Sequence, residues 1–171
     1  MFYFVRHGKT DYSERNTKIY QGFGVHLAPL SEKGIRQINK AAADPLLSSP
    51  DLIICSPYTR AVQSAAILSR KLKTELRIET DLHEWVADTA YRVVSDAEED
   101  AAYESYISNN GIRSSKEECW EEKEALRCRV LAVLEKYKDL PKVIVVGHET
   151  MIDAVTECGH IKCGSIVEYN L

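Results

Sequence analysis

The chain has no apolar run long enough to cross a bilayer, which would take about 20 consecutive apolar residues. It also lacks a basic excess, because 22 lysines and arginines are set against 26 acids, giving a formal net charge of −4. A general nucleic-acid binder would show a basic stripe, so no nucleic-acid partner is expected, nor a membrane one. The opening Met-Phe-Tyr-Phe-Val-Arg-His has neither the charged n-region nor the small-residue cleavage site of a signal peptide. Nothing is therefore expected to precede the fold, and a cytoplasmic location follows. The five cysteines are odd in number and irregular in spacing, which excludes a disulfide framework and suggests reduced thiols. The stretch Cys158-Gly-His-Ile-Lys-Cys163 offers only three possible ligands, at a spacing that matches no zinc pattern. No metal and no cofactor are expected. Internal repeats, linkers and low-complexity segments are absent as well.

What is present is the balance of an ordinary globular domain, 44% hydrophobic and 28% charged over 171 residues. Phe2 to Val5, Leu52 to Cys55 and Val143 to Val146 are continuous apolar runs, the pattern of strands buried on both faces. Leu76 to Ile78 and Ser165 to Tyr169 read as shorter strands. Ser31 caps a first helix with Ile35, Ile38 and Ala42 on one face, ended by Asp44-Pro45. Ser56-Pro57 reads as an N-cap followed by a proline at the first helical position. That helix runs to about Leu72 and buries Ala61, Ala65, Leu68 and Leu72.

A short helix is predicted over Asp96 to Ser108, closed by Asn109-Asn110-Gly111. Ser115-Lys-Glu-Glu118 has the spacing of a capping box opening a long helix, whose stripe is Leu126, Val130, Val133, Leu134 and Tyr137. A last helix follows Gly147-His148 to about Glu157. Strands alternating with helices predict one domain over 1–171, a three-layer α/β/α sandwich with a mostly parallel central sheet. The acidic segment at about 85–114 is expected to be a short helical lid over a pocket.

The chemistry-bearing residues fall where such a fold binds ligands. Arg6-His7 follows the first strand, Ser56 to Arg60 the second, and Gly147-His148 the fourth, so all three converge beyond the carboxyl ends of the sheet. Two arginines suit phosphate oxygens through their planar forks of donors. A helix start near Pro57 adds backbone N–H groups and a dipole favourable to an anion. Imidazole can act as a nucleophile toward phosphorus. This is a phosphate site by composition.

The ordered set is more specific than any member. Arg6-His7-Gly8-Lys9-Thr10, Asn16, Gln21-Gly22 and Leu30-Ser-Glu-Lys-Gly34 resemble the opening of the histidine phosphatase (phosphoglycerate mutase-like) superfamily. Ser56-Pro-Tyr-Thr-Arg60-Ala-Val-Gln-Ser-Ala65 is similar to its second signature, Leu82-His-Glu84 to the segment with its general acid, and Val145-Val-Gly-His148 to its final histidine. The resemblance implies that His7 takes the phosphoryl group and that Arg6, Arg60 and His148 bind its oxygens. It implies that Glu84 protonates the leaving oxygen and then deprotonates the attacking water. Glu84 must start protonated, so a raised pKa is expected from nearby negative charge, chiefly the substrate phosphate. Gly8, Thr10, Asn16 and the backbone around Gly22 are further candidates for contacting phosphate.

Two departures from the family pattern bear on specificity. Glu149 stands where glycine often follows the last histidine, so its side chain is expected to turn away while its N–H faces the phosphate. After Glu84 the chain reads Trp85-Val-Ala-Asp-Thr-Ala-Tyr91, without the basic-aromatic continuation common in mutases. The lid is short and the chain stops at Leu171, whereas a mutase must exclude water from its phosphorylated intermediate. Hydrolysis of a small phosphomonoester, by a metal-independent enzyme of the histidine acid phosphatase type, is the expected activity. Alternatives are a cofactor-dependent phosphoglycerate mutase, a phosphohistidine or protein phosphatase and, last, a non-enzymatic phosphate-binding protein. The expected partner is a small phosphorylated metabolite, bound by a monomer or homodimer. His26, His83 and His160 have no role in this reading beyond rim positions, and Trp85, Arg92 and Arg113 remain open as substrate contacts.

Overall fold

A computed structural model describes residues 1–15, 17 and 22–171. Its strands are β1 (Phe2–Arg6), β2 (Leu52–Cys55), β3 (Leu76–Ile78), β4 (Val143–Gly147) and β5 (Ile166–Tyr169). Its α-helices are α1 (Glu32–Ala41), α2 (Thr59–Leu72), α3 (Asp96–Ser108), α4 (Lys123–Glu135) and α5 (Glu149–Thr156). The strands form one sheet in the order β3-β2-β4-β1-β5, parallel except for β5, which pairs antiparallel with β1. The expected mostly parallel α/β sheet is what forms. Among the described residues no helix is long and apolar enough to cross a membrane.

Strand side chains alternate between faces, and the two resulting cores show which helices cover each. Phe2, Phe4, Ile54, Val143 and Val145 pack with Leu126, Val130 and Val133 of α4 and Met151 and Val155 of α5. Val5, Ile53, Cys55, Ile144 and Val146 pack with Ile38 of α1 and Ala61, Ala65 and Leu68 of α2. The result is three layers. Tyr106 of α3 and Trp85 extend the first core outward, toward the expected lid segment.

Three local readings shift. In α1 Ser31 Oγ accepts the Gly34 N–H at 3.1 Å, as a cap should. The buried stripe, however, is Gly34, Ile38 and Ala41, and Ile35 is 42% exposed. The helix is rotated to bring Gly34 against the chain at Gly8. Helix α2 begins at Thr59, with Tyr58 as its cap residue, instead of at Pro57. The Ser56 hydroxyl accepts the Tyr58 N–H at 3.3 Å and also meets His148, so it closes a turn instead of capping a helix.

Helix α4 opens at Lys123, eight residues after Ser115 of the proposed capping box. The Glu118 carboxylate gathers the Ser114 N–H at 2.5 Å, the Ser115 N–H at 3.1 Å and the hydroxyls of Ser114 and Ser105. The same side chains thus fold a loop onto α3, and the local motif does not nucleate a helix.

Candidate active site

Strand register sets the level of the site. Arg6 pairs with Gly147, and Val146 pairs with both Val5 and Cys55. The next residues, His7, Ser56 and His148, therefore leave the sheet side by side. Backbone bonds fix the exit points: His7 N–H donates to Gly147 O and Ser56 N–H to Val146 O, each at 3.0 Å.

His7 is buried, and its Nδ1 lies 2.7 Å from the Gly8 carbonyl. A carbonyl only accepts, so Nδ1 carries the proton and Nε2 keeps its lone pair. The Arg60 Nε–H donates to that Nε2 at 3.3 Å. Burial, with Arg60 next, pushes the His7 pKa down to about 3, so the ring is neutral at any ordinary pH.

His148 packs edge-on against His7, with ring centroids 5.1 Å apart, and its Nε2 lies 2.7 Å from Ser56 Oγ. With Ser56 donating its proton to Nε2, the His148 proton sits on Nδ1. Burial first, and Arg60 after it, holds this imidazole well below its usual pKa too. Three buried donors here have no partner among the described residues: Arg6 Nε, Arg60 Nη1 and His148 Nδ1. Unsatisfied buried donors are costly, and a cluster of them suits an oxyanion.

Gly8 serves the scaffold: its N–H donates to Ser64 Oγ at 3.1 Å, and its carbonyl holds His7. A Cβ on Gly8 would sit 2.4 Å from the Gly34 carbonyl oxygen, so only glycine allows α1 to press this close. Thr10 is buried and makes an isolated bridge to Leu30. Gly22 opens a 3-10 turn, Gly22–Leu27. Asn16 and Gln21 lie outside the described residues.

Glu84 sits across the pocket at the start of α5. Its carboxylate accepts the N–H groups of Trp85 (2.9 Å), Met151 (3.0 Å) and Thr150 (3.2 Å). These amides and Arg60 favour the ionised form, yet burial outweighs them and raises the pKa. The upward direction expected from sequence is there, and in the protein alone burial is its first cause. Dehydration does it, and the charge nearest the group opposes it.

The Glu149 side chain turns to Arg6. Its carboxylate meets Arg6 Nη1 at 2.6 Å, His160 Nδ1 at 2.5 Å and the Ile161 N–H at 3.1 Å. Arg6 Nη1 also donates to the Ile161 carbonyl. The residue that breaks the family pattern thus fixes an arginine, and His160 is drawn to the same carboxylate. Among the described residues no three His, Cys, Asp or Glu side chains are grouped to hold a metal ion.

Other residues come into the site without a sequence signal. His83, expected at the rim, is buried, with Nδ1 2.7 Å from the Glu84 carbonyl and Nε2 3.1 Å from Tyr91 Oη. His26 stacks on Tyr58 at 4.0 Å, and Tyr58 in turn meets His148 at 5.2 Å and carries the Arg60 guanidinium 5.0 Å above its ring. Arg129 binds both Glu121 oxygens, at 2.6 and 2.9 Å, and donates to the carbonyls of Asp81, His83 and Glu84. Arg113 goes to the carbonyls of Trp120 and Cys119, which makes it a brace of the loop. Arg92 pairs with Asp88 at 2.6 Å.

Two histidines held neutral by burial and two arginines stand together at the strand ends of a three-layer sandwich, an arrangement that suits an oxyanion. Residues 2–160 match the histidine phosphatase superfamily (branch 1), and the chain belongs to that superfamily.

The fold is similar to a mycobacterial glucosyl-3-phosphoglycerate phosphatase solved as a complex with VO3. Identity is 23% over 96% of this chain and 88% of that one, with a TM-score of 0.70. It is also similar to a putative alpha-ribazole-5'-P phosphatase from Escherichia coli, 23% identical, covering 90% of this chain and 76% of that one, TM-score 0.64. A stretch of 74 residues is 39% identical to the agropine synthesis reductase of Rhizobium rhizogenes, covering 39% of this chain but only 17% of that protein.

Proposed function

We propose that this protein is a metal-independent phosphatase that hydrolyses small phosphomonoesters through a phosphohistidine on His7. The observation that carries the proposal is the locked tautomer: Nδ1 is committed to Gly8 O, so the lone pair is on Nε2, where Arg60 Nε–H holds it until the guanidinium turns to the phosphate. His7 Nε2 bonds to phosphorus as the ester P–O bond breaks. The Gly8 carbonyl, already holding Nδ1–H, stabilises the positive charge that the ring acquires. Arg6, Arg60 and His148 donate to the oxygens of the phosphoryl group in flight. Glu84, with its raised pKa, gives its proton to the leaving oxygen. A water then attacks phosphorus, Glu84 takes the water's proton, the P–N bond breaks, and phosphate leaves with His7 neutral again.

Glu149 contributes by holding Arg6, and the expectation that its N–H faces the phosphate remains part of the proposal, as do contacts from Thr10, Asn16 and Gly22. The segment 85–114 is the proposed lid. Turnover of p-nitrophenyl phosphate by wild type after exhaustive chelation, alongside His7→Ala, tests the reading. Full wild-type activity with none in the variant is expected. Retained turnover in His7→Ala, or loss on chelation, overturns it.

A further inference from the structure

Beside the oxyanion site, on the side of Glu84, lies a cavity of about 230 Å³. Its walls include Val25, Tyr58, Trp85, Val86, Tyr91 and Val94. Tyr58 belongs to both compartments, since its ring also touches His148 and lies under Arg60. Trp85 adjoins Glu84 in sequence and is held by its Nε1–H to the Glu121 carbonyl at 2.8 Å. A group that leaves phosphorus by taking a proton from Glu84 departs toward this cavity.

Size and charge then select what fits. An apolar cavity of about 150 Å³ is enough to hold benzene, so this one has room for one ring with small substituents. The charged groups in its wall are Asp88, Arg92 and Glu99. Asp88 and Arg92 neutralise each other at 2.6 Å. Among the described residues Glu99 forms no ion pair, since Arg15 is paired with Asp96 at 2.7 Å, and burial holds its carboxyl above the usual carboxylate pKa. His26, also in the wall, stacks on Tyr58 and is kept neutral, its pKa lowered to about 4 chiefly by burial. The balance is therefore negative. Among the described residues of the wall no cation is left over to receive a carboxylate on the substrate.

Resting on the phosphatase reading above, we infer that the preferred substrates are phosphomonoesters of a small aromatic or apolar alcohol without negative charge, the alcohol seated between Tyr58, Trp85 and Val94. A ring stacked there replaces water on aromatic surface, whereas an acidic group would meet Glu99. Like-charge juxtaposition of this kind is a strong means of rejection.

Calorimetric titration at pH 8 with phenylphosphonate, 4-carboxyphenylphosphonate and inorganic phosphate tests the inference without needing turnover. Phenylphosphonate is expected to bind at least about tenfold tighter than its carboxylated analogue, and tighter than phosphate. In Glu99→Gln the gap between the two phosphonates is expected to narrow. Equal or tighter binding of the carboxylated compound, or a gap that Glu99→Gln leaves unchanged, overturns the inference. Phenyl phosphate turnover is measured in parallel. Turnover without the binding gap removes the specificity and leaves the phosphatase; the gap without turnover removes the phosphatase and leaves the ligand class.

Discussion

On the phosphate side of the pocket, His7, Ser56 and His148 each stand one residue beyond a strand, at a height set by ladder hydrogen bonds. On the leaving-group side, Glu84 follows a single 3-10 turn, Thr80–Leu82, and its neighbours through Ser95 form no helix or strand. Main chain builds the first side. Side chains hold the second: Arg129 clamps three carbonyls around Glu84, and Glu118 and Arg113 tie down the loop that follows α3. The contrast matches the proposed chemistry. Every phosphomonoester presents the same phosphoryl group to the sheet, while the alcohol differs, and the part that meets the alcohol is built from segments that can vary without disturbing the sheet.

The division can be broken from either side. Glu84→Gln should lower kcat/KM on an alkyl phosphate by about 10²–10⁴-fold while affecting p-nitrophenyl phosphate far less, because that leaving group needs no proton. Equal losses on both would remove Glu84 as the acid. Arg129→Met leaves the buried Glu121 carboxylate without its partner and releases the Glu84 turn. Removing one member of such a pair typically costs about 3–5 kcal/mol, to be read as a drop in the urea midpoint. Its kinetic loss should track that of Glu84→Gln in leaving-group dependence. A loss that is uniform across esters would make Arg129 merely structural.

Gly8→Ala probes the other side. The new Cβ meets backbone of Gly34, which cannot swing away, so a loss of about 1–3 kcal/mol is expected by denaturation. Gly159→Ala, with nothing within 4 Å but a φ of +72°, is the comparison and should cost about 1 kcal/mol.

The smallest effect is one of pH. His7 and His148 are uncharged when folded, but in the unfolded chain they take up protons near the ordinary histidine pKa of about 6.5. The unfolded state then binds more protons, so stability falls as pH drops from 7.5 to 6.5, by under about 1 kcal/mol for the pair. Glu84 acts with the opposite sign, its raised folded pKa making stability fall as pH rises above the carboxylate range. Urea midpoints in a Glu84→Gln background remove that opposing carboxylate, and His26 and His83, also lowered by burial, add to the pair with the same sign. A midpoint that rises on acidification would contradict their burial as neutral rings.

The same contrast decides what the sequence made legible. The apolar runs before Arg6, Ser56 and Gly147 announce buried strands, and strand ends in a parallel sheet face one way, so His7, Arg60 and His148 could be brought together from pattern alone. Glu84 was reachable only through a resemblance, since no periodicity surrounds it. His26, Tyr58 and Arg129 gave no signal because their places depend on contacts between segments far apart in the chain. The Ser115–Glu118 spacing shows the limit in the other direction. A capping motif has the right residues, but Ser105 and Ser114 compete for the same carboxylate and the loop wins.

The most direct test of the account is a rapid-quench reaction with a labelled phosphomonoester, followed by peptide mapping of the denatured protein. The account predicts acid-labile, base-stable phosphate on His7 in the wild type, accumulating further in Glu84→Gln with a good leaving group, and absent in His7→Ala. Turnover with no phosphate on the protein, or label that persists on another residue in His7→Ala, would contradict it.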